Sequence, residues 1–162
     1  MDSGRSVLVH HRGAVSVEMA LVAPVLIMLL FGIIEFGLVI KDYLGINQAA
    51  REAARTAVVG GTVAAIDARL DGSAPTIDTS QISRTYEYRT FSDSTGMWSE
   101  WMALADVGSG SDVQNCAPEG AQVRVSVSYP HRLLTGPLFG RLADDPDTGT
   151  MILTAAMVMR RE

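Results

Sequence analysis

Few side chains in these 162 residues can do chemistry, and their spacing limits what it could be. Three histidines and one cysteine are present. His10 and His11 would be lost with any leader ending at Gly13, which strands His131 and Cys116, and no catalytic triad can be assembled from those two. The stretch DDPDTG offers Asp144, Asp145 and Asp147 as oxygen donors for calcium, but without EF-hand spacing. Pro146 and Gly149 make an acidic turn the simpler reading. No glycine-rich phosphate loop follows a strand, and a single thiol can close neither an internal disulfide nor a thiolate metal cluster. We therefore expect a chain that binds rather than catalyses, with no cofactor, no metal and no small-molecule substrate. A net charge of -5 without a long basic run argues against nucleic acid. What remains is a single carboxylate, Glu18, five residues after Gly13, at the start of the otherwise apolar stretch RGAVSVEMALVAPVLIMLLFGIIEFG.

That stretch is long enough to enter a bilayer. Met19 to Ile34 carries no charge, and a helix from Ala14 to Ile40 would rise about 40 Å, against roughly 30 Å of hydrocarbon. Arg5, Arg12 and the two histidines precede it while acids dominate downstream, so the positive-inside rule places the N-terminus in the cytoplasm and the rest outside. A secretory signal peptide fits poorly: the run is too long, and KDYLG after Ile40 is no small-residue exit site. An uncleaved anchor is one alternative. The other is cleavage between Gly13 and Ala14, which leaves the apolar run on the mature chain. That cut would create an α-amine on Ala14, one helical turn before Glu18 and on the same helix face, so amine and carboxylate could neutralise each other. Without a partner, Glu18 would snorkel into the headgroups. Glu35 should reach the far interface and be solvated. Pro24 would bend the helix, and Gly32 and Gly37, five apart, do not form the close-packing GxxxG pattern.

The basic leader, Gly13, and AVSVE with Glu18 at the fifth mature position resemble the prepilin-peptidase site of type IV pilins. RGAVSVEMALVAPVLIMLLFGIIEFG resembles the start of TadE-like pseudopilins, minor components of the Tad, or Flp-type, tight-adherence pilus. NQAAREAART (47–56), VRVSVSYPHRLLTGPLFG (123–140) and LTAAMVMRRE (153–162) are similar to such chains too, whereas the middle, from about 61 to 120, is not. The resemblance implies a minor pilin in the inner membrane, possessing as partners the membrane, the prepilin peptidase and other Tad pilins and pseudopilins. It also implies that Glu18 meets the Ala14 amine of a neighbouring subunit and sets the axial register between packed helices. A single-pass anchored binding domain unrelated to pili is the alternative.

Elements follow from periodicity. Tyr43, Ile46, Ala49, Ala50, Ala53, Ala54, Ala57 and Val58 recur at three- and four-residue spacing, so the membrane helix should continue outward until Gly60 and Gly61 stop it. Residues 84–91 and 97–105 read as a hairpin across SDSTG, with Trp98 and Trp101 covering the sheet. Val123, Val125, Val127 and Tyr129 alternate with polar residues in a strand that Pro130 should end. The apolar run Ile152 to Met159 suits a central strand covered on both sides. HRLLTGPLFGRL should fold under the sheet. The expected fold is α+β: a long N-terminal transmembrane helix continuing outside the membrane and packed on a small, mainly antiparallel sheet of about four strands. Its parts are a leader (1–13), a membrane helix (14–40), a helical extension (41–60), a linker with a short helical stretch (61–80) and a β-rich domain (81–162).

Overall fold

The computed structural model describes residues 10–161, with side chains for 15–136, 139 and 141–161. Most of the expected leader, residues 1–9, lies outside the described residues. The chain divides into two compact units, Met1–Leu38 and Val39–Glu162. One helix, α1 (His10–Val58), runs through 49 residues and stays unbroken across Pro24, whose ring removes the bond to the carbonyl of Ala20.

Within the second unit, the alanine spacing decides how α1 packs. Ile46, Ala49, Ala53, Ala54 and Ala57 are fully buried, in one core with Val123, Val125 and Val127. Small side chains let the helix backbone come close, and the valines supply the apolar mass, about 2 kcal/mol apiece. Tyr43, expected in the stripe, is 46% exposed. Gly60 stops the helix with a φ of 86°, a left-handed conformation that a side chain would resist. Thr62 then caps α2 (Val63–Gly72) by accepting the N–H of Ala65 at 3.1 Å. Its Ile66 and Leu70, four apart on one face, are fully buried.

Eight strands follow: β1 (Ser83–Arg89), β2 (Phe91–Ser92), β3 (Met97–Trp98), β4 (Met102–Ala103), β5 (Asp106–Val107), β6 (Gln114–Asn115), β7 (Gln122–Arg132) and β8 (Thr150–Arg160). A short helix, α3 (Gly136–Phe139), precedes the last strand. Four strands form the expected antiparallel sheet in the order β4-β1-β7-β8, with two-stranded ribbons β2-β3 and β5-β6 beside it. The hairpin turns at Gly96, where φ is 66°.

Three expectations change in detail. Pro130 does not end its strand but sits in β7 opposite Ile152. Odd-numbered β7 residues turn their backbone groups to β8, as the bond from Arg161 N–H to Ala121 O (2.8 Å) shows, so the missing N–H of Pro130 faces the β1 side. There β1 has already ended, with Ser83 opposite Ser128. Secondly, β8 is an edge strand, not a central one. Leu153 and Ala155 face the core, while Ile152 and Val158 are 50% and 45% exposed on the other face. Lastly, Leu133 folds inward but Leu134 stays 67% exposed.

Trp98 and Trp101 do cover the sheet, through arginines rather than the core. The guanidiniums of Arg89 (4.6 Å) and Arg124 (4.1 Å) both lie over the Trp101 ring, and that of Arg89 lies 5.1 Å from the Trp98 ring. Arg124 is also paired with Glu87 across β1 and β7. Between α2 and β1, Arg84 bonds Asp71 at 2.7 Å and Asp67 at 3.1 Å, and the Tyr86 hydroxyl donates to Asp67 at 2.5 Å. Burial opposes the Arg84 charge, but the two aspartates outweigh it and raise the pKa.

Burial first, and then the Asp67 carboxylate, push the Tyr86 phenol above its ordinary value of about 10. A raised folded-state pKa gives stability that is complete below the unfolded value and is lost as pH climbs past about 10. The expected result is an alkaline fall in stability that Tyr86→Phe reduces, measured by denaturant midpoints above pH 10 alongside tyrosinate absorbance. An unchanged alkaline slope in the variant would refute this.

Candidate functional site

Most of the apolar helix in the first unit is exposed. Six consecutive residues, Val25 to Leu30, are each 52–66% exposed, so apolar surface runs right round the helix instead of along one stripe. Mean hydropathy reaches 2.6 in its most apolar window, and no part of that window is buried. By length and composition this is one helix able to span a membrane, and an apolar surface of this extent calls for lipid or other helices around it.

Glu18 stands exposed near the beginning of that surface. Gly13 and Ala14 both lie inside α1, so Glu18 is one turn beyond Ala14 on a continuous helix, about 6 Å along the axis. The bond between Gly13 and Ala14 is helical, so the helix begins before Ala14, the expected start of the membrane helix. Glu35 departs from expectation. It is 4% exposed and has a polar interaction instead of lying in water, as a buried carboxylate must to avoid a penalty of several kcal/mol.

The second unit pairs polar groups that sequence reasoning did not bring together. His131, near the end of β7, has its Nδ1 2.7 Å from Asp42 Oδ2 on α1, and the two side chains are only 6% and 9% exposed. The Lys41 ammonium lies 3.1 Å from Asp42 Oδ1 without an aligned hydrogen bond, and His131 Nε2 has no hydrogen-bond partner among the described residues. This pair joins residues 89 apart in sequence and fixes the outer helix to the sheet. At the far end of α1, Asn115 is 1% exposed and donates from Nδ2 to the carbonyls of Ala57 and Gly61, both at 2.8 Å. Its Oδ1 accepts from Ala117 N–H (3.3 Å) and from the Arg161 guanidinium (3.1 Å), which also bonds the carbonyl of Ala117. Asn115 is thus a helix cap supplied from elsewhere in the chain.

The remaining sequence candidates are engaged in local structure. Asp145 accepts the Thr148 hydroxyl at 2.7 Å and the Asp147 N–H at 3.1 Å, bonds that hold its pKa below the ordinary carboxylate range. Asp144 accepts the N–H of Ile152 at 2.6 Å. Cys116 Sγ accepts the N–H of Ala105 at 3.4 Å. Among the described residues no cluster of three or more His, Cys, Asp or Glu side chains could hold a metal ion.

No curated protein and no solved structure matches the chain. Residues 13–55 match the family model described as TadE-like protein. The match takes in Gly13, Glu18, the apolar run and most of the alanine stripe, about a quarter of the sequence. Over that stretch the N-terminal helix of this chain is similar to TadE-like proteins.

Proposed function

We propose that the protein is a minor pilin of the Tad system that docks laterally with other pilin-like helices, binding without catalysing. The observation that carries this reading is Glu18, a carboxylate at the start of a bare apolar helix inside the TadE-like segment. A charge beside lipid is costly and calls for a counter-ion. The prepilin peptidase would supply one by cutting between Gly13 and Ala14, and the freed amine of a neighbouring chain would then fix the axial register of adjacent helices. The N-terminus would lie in the cytoplasm and the sheet unit outside the inner membrane, by the arginines before the span and the acids after it.

The test is Glu18→Ala in cells with a working Tad system. Assembled pili should fall about tenfold or more, the factor that ~1.4 kcal/mol of pairing energy carries. Normal piliation would leave only an anchored binding domain. The intact mass of protein recovered from membranes gives a second check, expected to show a chain beginning at Ala14. A mass that retains the first thirteen residues would remove the peptidase step.

A further inference from the structure

The second unit begins inside α1, at Val39, so one of its ends continues into the apolar segment. The direction of the strands shows which loop lies there. At the far end Asn115 bonds the carbonyls of Ala57 and Gly61, Arg161 bonds both Asn115 and Ala121, and β7 starts beside them. From there β7 runs back along α1 until His131 meets Asp42. The connection from Leu133 to Gly149 therefore turns over at the end nearest the apolar segment, and β8 carries the chain away again.

Helix length puts that end at the surface of a bilayer. From Val15, about 20 residues of helix cross ~30 Å of hydrocarbon to Ile34, and the headgroups, ~5–7 Å deep, take up about four more. Asp42 stands just beyond them. Three residues of chain past His131 reach up to about 10 Å, enough to bring Leu134 back to the acyl boundary. The composition suits that place, because the connection opens as RLLTGPLFGRL, with exposed Arg132 and Arg141 around an apolar middle. Leu133 folds into the core, but Leu134 is 67% exposed and Leu142 59%. Next to Asp42 on α1, Ile40 and Leu44 are 56% and 61% exposed, and 48% of the Lys41 side chain is open. Leucines between basic side chains fit the border of acyl chains and headgroups, where arginines keep their charges among the phosphates. Net charge does not drive this contact, since Asp144, Asp145 and Asp147 follow on the same connection and outnumber its two arginines. The attraction is apolar, and its partner is the acyl boundary rather than an anionic headgroup.

We infer that the β7–β8 connection dips into the leaflet from which α1 emerges, seating Leu134 and Leu142 at the acyl boundary, so that the sheet unit rests on the lipid. This rests on the membrane span of the reading above and not on Glu18. The test uses the full chain, purified and reconstituted in phosphatidylcholine vesicles at a high ratio of lipid to protein, with a nitroxide on a single cysteine in a Cys116→Ser background. Leu134→Cys and Leu142→Cys are compared with Val25→Cys in the span and with Met97→Cys, a 70% exposed position in β3. Collisions with a nickel chelate, which stays in water, should be largely lost at Leu134→Cys and Leu142→Cys, as at Val25→Cys, while collisions with membrane-dissolved oxygen rise. Nickel access at both positions equal to that of Met97→Cys overturns the inference. So does shielding that disappears when the vesicles hold fewer copies, which makes a second copy the cover, or shielding that needs anionic lipid, which makes headgroup charge the attraction. Nickel access at Val25→Cys as well sinks the span and this contact together, whereas access at the connection alone leaves the span standing.

Discussion

Asp42→Ala should lower the unfolding free energy of the sheet unit by about 3 kcal/mol, near the lower end for breaking a buried pair by removing one partner. The reason is the imidazole left behind. His131 is 5% exposed and already has a buried Nε2 without a hydrogen-bond partner among the described residues. Losing the carboxylate removes the partner of Nδ1 too. Asp42→Asn keeps an acceptor of the same size and should cost about 1 kcal/mol. Replacing both residues by leucine should restore much of the loss, since an apolar pair of similar volume needs no partners. Urea unfolding of the detergent-solubilised full chain, followed by fluorescence of Trp98 and Trp101, checks the series. If Asp42→Ala leaves the midpoint where it was, the pair is not a joint between helix and sheet.

Asn115→Ala should cost about as much, roughly 3 kcal/mol, by uncapping α1. The Gly61 carbonyl just past the helix loses its side-chain donor, the Ala57 carbonyl keeps only the N–H of Gly60 (3.1 Å), and Arg161 loses an acceptor. Asn115→Asp is the sharper variant, because it keeps the contact with Arg161 but turns an oxygen toward the carbonyls of Ala57 and Gly61. It too should destabilise, despite the added charge pair. Hydrogen exchange at the amides of the last turn before Gly61 should speed up about a hundredfold if ~3 kcal/mol is lost there. Unchanged protection would mean that the helix end is held by packing alone.

Both of these sites were illegible in the sequence, for the same reason. Asn115 meets Ala57 across 58 residues and His131 meets Asp42 across 89, and neither separation leaves a periodic trace. His131 stood out only as a lone imidazole, with nothing in its neighbours to point to Asp42. The alanine stripe was legible because helix packing repeats locally, every three or four residues, and the apolar span because its length alone is informative. Edge or centre was not legible for β8, since apolar side chains on the exposed face read as a second buried side. Pro130 misled in the opposite sense: where β1 stops is a property of β1, invisible from β7. Glu18 could be singled out for its position, although a carboxylate at that spacing does not reveal its partner.

The cap on α1 also has a temporal consequence. Gly60 and Gly61 bond the last turn locally, but the side chains of Asn115 and Arg161 complete the cap, so it stays unfinished until about a hundred further residues have emerged from the ribosome. Until then the alanine stripe lacks its valines as well, and the nascent segment exposes the surface that later becomes core. A holding chaperone would protect it during that interval. Slowing elongation after residue 58 should therefore raise degradation of this chain more than slowing it before residue 40.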